Sequence, residues 1–275
     1  MRVPRLLPAV LLAAAPAAAP APLAAQTRPL QTEPALTAGA GRLVLETGFD
    51  AIADEPSFET GLEREAWSGP LLRLVCSPAE SVELDVEWTV RVGVWNDPLR
   101  FGAQSSDFGD VALRAKWRFA RGGGKRPTLA ARFGVYLPET SYEDKQFRPL
   151  GLGPNTLRAF VEGLLTQRLG RGLLHANAGL FLIDEVFETH DQRDLLSYGI
   201  ALEWPLHGGL TAVAELAGRA GEGRPGADAH AEARAGLRLS RGRLAWDAAL
   251  RRGLTEWDGT WGGTVGLAWT LRPGH

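Results

Sequence analysis

The chain has 275 residues, of which 45% are hydrophobic, and 30 basic side chains stand against 32 acidic ones. A single cysteine excludes a disulfide framework and a cysteine-based zinc site, and the near-zero net charge excludes the basic surface that is typical of nucleic-acid-binding proteins. The apolar content is too high for a disordered chain.

Residues 1–25 have the pattern of a secretory signal peptide. Arg2 and Arg5 form a basic start, an apolar stretch follows, and an Ala/Pro region leads to a predicted cleavage after Ala25. The apolar stretch is shorter than the ~20 residues of a membrane-spanning helix, which disfavours an uncleaved anchor. We therefore predict export of the protein, with residues 26–41 as a periplasmic N-terminal tail.

From residue 42 onwards, apolar and polar residues alternate, as they do in β-strands whose two faces meet different surroundings. In residues 82–95 the valines, Leu84 and Trp88 share one face, and the charged residues share the other. We count about twelve such segments. They cover residues 42–50, 70–77, 82–95, 109–120, 127–137, 157–165, 174–182, 196–204, 210–216, 229–239, 244–250 and 265–271.

After the first strand, the connections between these segments are long and short in turn. This rhythm is typical of bacterial outer-membrane barrels. We therefore predict an all-β fold for residues 42–271: a transmembrane antiparallel up-and-down β-barrel of about 12 strands, with long extracellular loops and short periplasmic turns. Residues 272–275 are then a periplasmic C-terminal tail.

A soluble barrel or sandwich with its apolar face inward is the alternative. A closed sheet of twelve strands is too wide for apolar side chains to meet across it, which counts against that alternative. Five aromatic residues also lie on the apolar face, next to short turns or the C-terminus, where a periplasmic aromatic girdle is expected. They are Trp117, Phe119, Trp204, Trp246 and Trp269.

The polar face carries a series of charges that we predict to line the lumen. These residues are Glu83, Asp85, Glu87, Arg91, Asp110, Arg114, Lys116, Arg118, Arg132, Arg158, Glu162, Glu203, Glu215 and Arg234. The strands that contain residues 83–91 and 110–118 are expected to pair antiparallel. A register in which the two partner numbers add to 201 gives four pairs of opposite charge. They are Glu83 with Arg118, Asp85 with Lys116, Glu87 with Arg114, and Arg91 with Asp110. Such a ladder would let charges sit inside a barrel. Glu215 and Arg234 form a second candidate pair.

The segment 109–119, the strand at 127–138 and the lead-in at 72–84 together resemble the outer-membrane family named for the MetA-pathway of phenol degradation. Further similarity in the closing hairpins extends the resemblance over most of residues 70–271. The resemblance implies an outer-membrane β-barrel that acts as a channel for small, often aromatic or hydrophobic molecules, with no catalytic residues to carry over. The chain departs from the usual assembly signal because residues 269–275 end without a terminal aromatic residue.

A catalytic site would need a nucleophile next to a base that a third group orients. His175 and Asn177 share the polar face of one strand, but the neighbouring position offers Thr166 rather than a serine. His190 falls in a predicted loop. We predict no catalytic residue, no metal site and no cofactor, and hence no enzyme.

The sequence thus favours a passive, porin-like channel or transporter in the bacterial outer membrane, taking small and aromatic or hydrophobic molecules. A closed structural or adhesive barrel is the alternative, and an outer-membrane hydrolase is a third hypothesis. The expected partners are outer-membrane lipids, a small-molecule solute and the outer-membrane assembly machinery.

Overall fold

A computed structural model describes residues 26–57, 61–97, 103–139, 152–153, 155–184, 192–221 and 229–271. The predicted signal peptide at 1–25 and the predicted tail at 272–275 lie outside the described residues. Within the described ranges, no helix is long and apolar enough to cross a membrane.

Fourteen β-strands form a single sheet in the described part of the chain. They are β1 (Arg42–Pro56), β2 (Glu63–Ala79), β3 (Val82–Thr89), β4 (Val92–Asp97), β5 (Ala103–Asp107), β6 (Val111–Ala120), β7 (Thr128–Leu137), β8 (Arg158–Leu169), β9 (Gly172–Asp184), β10 (Gln192–Pro205), β11 (Leu210–Ala220), β12 (His230–Arg241), β13 (Leu244–Gly253) and β14 (Trp261–Leu271).

The sheet closes on itself, because β1 pairs with β14 on one side and with β2 on the other, both antiparallel. Both β3 and β4 pair with β2, and they are two parts of one strand that is interrupted at Val90 and Arg91. In the same way, β5 and β6 are one strand interrupted at residues 108–110. The barrel therefore has twelve antiparallel strands, which confirms the predicted fold class.

The interruption lies where Pro70 of β2 faces β3 and β4. Proline has no backbone N–H and cannot complete the ladder. Its carbonyl still accepts from Val90 N at 3.0 Å, and Gly69 N donates to Arg91 O at 2.8 Å. The barrel thus stays closed across the break.

The apolar face of the sheet points outward. Leu250 is 66% exposed, and Trp117, Phe133 and Val265 are each 56% exposed, whereas Glu83 on the opposite face is fully buried. An apolar exterior of this extent is what a hydrocarbon environment requires of a barrel. The alternative of a soluble barrel with an apolar interior is therefore wrong.

The predicted register between β3 and β6 is wrong by two residues. Glu83 stands opposite Lys116 and Asp85 opposite Arg114, so partner numbers add to 199. After a shift of two residues, a charge pattern with period two still places charges opposite each other, here in two pairs of opposite sign rather than four, so the pattern does not fix the register. The second predicted pair, Glu215 with Arg234, is confirmed as a register pair of β11 and β12.

Candidate functional site: the lumen and its plug

Residues 26–38 lie inside the barrel, and we refer to them as the plug. Arg28, Glu33 and Ala35 are buried, as are most other plug residues. The chain enters the lumen at the end that carries the short turns, where Thr37 Oγ1 donates to the Glu80 carbonyl at 2.7 Å. The segment predicted as an N-terminal tail, 26–41, is thus held inside the barrel over residues 26–38, because the polar lumen supplies partners for the charges and backbone groups of this segment.

Glu33 lies at the centre of the plug and is only 1% exposed. One carboxylate oxygen accepts from Lys116 Nζ at 2.8 Å, and the other is 3.3 Å from Arg73 Nη2 and 3.5 Å from Arg132 Nη2. Thr27 Oγ1, also in the plug, donates to Glu33 at 2.7 Å. Three cations from three strands of the barrel thus converge on one plug carboxylate.

Side chains of the wall also hold the backbone of the plug. Glu215 accepts from Gln31 N at 2.8 Å and from Thr32 N, and Thr166 Oγ1 accepts from Ala35 N at 2.8 Å. The side-chain amide of Asn177 is oriented so that its oxygen accepts from the backbone N–H of Glu33 and its nitrogen donates to the backbone carbonyl of Glu33. Because no plug residue belongs to a strand, these side chains satisfy backbone groups that a ladder would otherwise satisfy.

Arg28 fits into a space that two glycines leave open. It donates to Thr264 Oγ1 at 2.6 Å and lies 3.6 Å from the Asp247 carboxylate. Gly48 and Gly266 are direct partners across β1 and β14, and a Cβ on either would overlap the Arg28 guanidinium. The wall is therefore shaped to this plug side chain.

The plug separates two cavities. The turn-side cavity, about 530 Å³, is lined by Gln26, Pro34 and Leu36 of the plug and by the short turns. The loop-side cavity, about 550 Å³, is lined by residues 27–28 and 30–33 of the plug and extends towards the loop between β13 and β14. The two cavities share no lining residue, so the plug divides the lumen.

Most of the predicted lumen residues lie inside the barrel. Glu83, Asp85, Arg114, Lys116, Arg132 and Glu215 are buried there. Closest contacts include Lys116 Nζ to Glu83 at 2.6 Å and Arg114 to Asp85 and to Glu87, both at 2.6 Å.

The remaining predicted lumen residues contact polar or charged partners, except Arg91, which contacts an aromatic ring. Arg234 lies 4.0 Å from Glu215, Glu203 accepts from Arg238 at 2.9 Å, and Glu162 accepts from Ser197 at 2.9 Å. Arg118 lies 3.6 Å from Glu80 at the turn rather than beside Glu83. Asp110 pairs with Arg158, whereas Arg91 is exposed and stacks over Phe108.

Sequence reasoning missed the plug charges and several of their partners on the wall. Arg73 contacts Glu33, Glu46 and Asp85, the last at 3.0 Å. The available signal was that Arg73 stands within the apolar run 71–76 and that Glu46 directly follows the apolar run 43–45. In the structure the two residues are register partners. Arg28 and Glu33 carried no such signal, because the plug has no periodicity.

His175 lies between Thr166 and Glu203 on the turn side of the lumen. Its Nδ1 is 2.9 Å from Thr166 Oγ1 and its Nε2 is 3.8 Å from Glu203 Oε1. The hydroxyl of Thr166 is also engaged by the plug through Ala35, so the plug covers it. His190 lies outside the described residues. Within the described ranges, no group of three or more His, Cys, Asp or Glu could hold a metal ion.

Asp258 fixes the loop between β13 and β14 beside the loop-side cavity. It accepts from His230 Nδ1 at 2.8 Å, from Thr255 Oγ1 at 2.7 Å and from Ala231 N at 3.0 Å. Burial would raise the pKa of Asp258, but the hydrogen bonds from His230 and Thr255 outweigh it and lower the pKa to about 2. Asp258 is thus ionised at neutral pH.

Aromatic residues lie on the outer face at both ends of the barrel. The five residues predicted for the girdle are between 38% and 56% exposed, near the short turns or the end of β14. At the opposite end, the rings of Phe49, Trp67 and Trp95 form a group with centroids 6.0–6.5 Å apart. Aromatic groups at two levels are typical of the two interfaces of a membrane.

The sequence matches no protein-family model and no curated protein. Among solved structures, an outer membrane channel from Pseudomonas putida F1 is similar, with a TM-score of 0.63 and 14% identity over 84% of this chain and 96% of that one. The translocator domain of the autotransporter NalP from Neisseria meningitidis has a TM-score of 0.49 and 13% identity over 83% and 87% of the two chains. The fold of this chain is therefore that of an outer-membrane β-barrel.

Proposed function

We propose that the protein is a passive channel of the outer membrane for small solutes, and that the plug controls passage through it. The observation that carries the proposal is a segment without strand pairing that separates two cavities in one lumen. Side chains that merely fill a structural barrel would come from the strands themselves. A separate segment held by side-chain contacts can leave without breaking any pair of the sheet.

The nature of the contacts supports a removable plug. Its apolar contacts are small: Leu30 packs on Ala201 and Val213, Ala35 packs on Ala130 and Leu164, and Ala38 packs on Val44, Val75 and Ala268. The remaining contacts are hydrogen bonds and ion pairs, which water and solutes can replace in an open lumen. The wall also keeps partners for its own charges, since Lys116 contacts Glu83 as well as Glu33.

The size of the cavities and two likenesses support the proposed class of solute. Cavities of about 530 and 550 Å³ hold only small molecules. The Pseudomonas putida protein with the same fold is a channel. The resemblance of residues 70–271 to the MetA-pathway of phenol degradation family favours aromatic or hydrophobic molecules.

Solute flux through purified, refolded protein in liposomes tests the proposal. We expect a variant without residues 26–38 to let small neutral sugars into liposomes several times faster than the full mature chain does. Both proteins should show the heat-dependent electrophoretic mobility of a folded barrel, which serves as the control. If neither protein passes any solute, the channel is refuted in favour of the closed structural barrel.

A further inference from the structure

One arginine in the loop-side cavity differs from all the others there. Each of the other arginines that line this cavity lies within 4 Å of a carboxylate: Arg28, Arg73, Arg114, Arg132, Arg158, Arg234 and Arg251. Among the described residues, by contrast, no group forms a hydrogen bond or an ion pair with the Arg219 guanidinium. Its donors therefore face the cavity without a partner from the described chain.

Arg219 belongs to a group of guanidinium and aromatic side chains. It lies over the ring of Phe181 at 4.8 Å, and Arg158 lies over the ring of Tyr136 at 4.8 Å. The rings of Tyr136 and Phe181 are 6.0 Å apart, so the two guanidinium groups flank one aromatic cluster. A guanidinium that packs over a ring can still donate hydrogen bonds from its edge, as Arg158 does to Asp110.

A planar guanidinium with free donors matches a carboxylate, which it binds through two parallel hydrogen bonds. Arg158 is partly neutralised by Asp110, whereas Arg219 has no carboxylate of the described chain within ion-pair distance and interacts with the charge of Asp258 only from farther away. The adjacent aromatic side chains, including Tyr136 and Tyr198 in the cavity wall, offer flat apolar contacts beside that charge. Neither a neutral aromatic molecule nor a bare inorganic anion would use both features.

We infer that the loop-side cavity is a binding site for small organic carboxylates with a flat apolar body, and that Arg219 receives the carboxylate. The inference deepens the proposed channel function, because it names the solute that the channel collects on the loop side of the plug. Binding itself does not require passage, so the two proposals can fail separately.

Isothermal titration calorimetry of the full mature chain in detergent tests the site, with benzoate, its neutral isostere benzamide, and inorganic phosphate as probes. We expect benzoate to bind about ten- to hundredfold more tightly than benzamide, which is the range of a charge-assisted hydrogen bond. Arg219→Gln should remove this preference, and Arg219→Lys, which keeps the charge but not the fork, should retain part of it.

Arg171→Gln is the matched control, because Arg171 also lies over an aromatic ring, that of Trp204 at 5.5 Å, but on the turn side of the barrel. It should bind benzoate like the unchanged protein. Heat-dependent mobility verifies that each variant is folded. Equal binding of benzoate and benzamide, equal binding of phosphate and benzoate, or an unchanged affinity in Arg219→Gln would each overturn the inference. Benzoate binding without solute flux would instead refute the channel and leave the site standing.

Discussion

Replacing Glu33 by glutamine should release the plug. The change keeps the size of the side chain but removes the only plug charge that Lys116, Arg73 and Arg132 share. Removing one member of a buried ion pair typically costs about 3–5 kcal/mol, because the remaining charge stays buried without its partner.

The structure indicates the lower end of that range. Lys116 keeps Glu83 at 2.6 Å and Arg73 keeps Asp85 at 3.0 Å, so among the described residues only Arg132 loses its close carboxylate in Glu33→Gln. A loss of about 3 kcal/mol corresponds to roughly a hundredfold fall in the ratio of plugged to open lumen, at about 1.4 kcal/mol per tenfold change.

Single-channel recording in planar bilayers measures this ratio as the open probability. We expect Glu33→Gln to raise the ratio of open to closed time about a hundredfold with no change in the conductance of the open state. Glu65→Gln removes the same charge at an exposed position of β2 and should behave like the unchanged protein. Equal open probabilities in all three proteins would refute the role of Glu33 as the centre of the plug.

Three further predictions concern the wall, the outer face and a loop. Gly48→Ala should also raise the open probability, because the added Cβ would overlap the Arg28 guanidinium. Gly163→Ala is the control, because its Cβ would lie at an ordinary 3.7 Å from its nearest neighbour. Equal open probabilities of the two variants would contradict the fit of Arg28 against Gly48. Phe133→Arg, in the middle of β7 on the apolar face, should lower the free energy of unfolding in lipid vesicles by about 2–4 kcal/mol in a denaturant titration, and a loss below about 1 kcal/mol would argue against membrane contact there. The lowered pKa of Asp258, about 2, means that its contribution to loop stability is complete above the ordinary carboxyl pKa of about 4 and is lost as the pH falls through the lowered value. Hydrogen-exchange protection of residues 254–260, corrected for intrinsic rates, should therefore stay constant from about pH 7 to about pH 4 and decline below that pH. The variant Asp258→Asn should lack this decline. A decline that begins near pH 6 would contradict the role of Asp258 in holding the loop.

The sequence predicts the wall of this barrel well, for a physical reason. Strict alternation fixes which residues share a face, and the five aromatic residues near the short turns indicate that the apolar face points outward. The pair Glu215 and Arg234 could be predicted from their opposite charges on the polar faces of neighbouring strands, and the register of β11 and β12 confirms it. Between β3 and β6, the charges favour a register that lies two residues away from the observed one, so charge pairing alone does not predict the register.

The plug could not be predicted from the sequence alone. Its key contacts join residues far apart in the chain, as between Glu33 and Lys116 or between Arg28 and Thr264. No local period marks a segment whose backbone is held by wall side chains rather than by a ladder. A short polar segment before the first strand has the composition of a free tail, and only the buried partners inside the barrel distinguish the two.

A reversible covalent tether between plug and wall tests the central claim most directly. Ala35 N donates to Thr166 Oγ1 at 2.8 Å, so cysteines at these two positions lie next to each other, in a background where the exposed Cys76 is changed to serine. In single-channel recordings, the oxidised Ala35→Cys/Thr166→Cys protein should stay closed, and a reducing agent should restore openings in the same membrane. Openings of equal frequency before and after reduction, with the disulfide verified by mass spectrometry, would contradict a channel that is controlled by its plug.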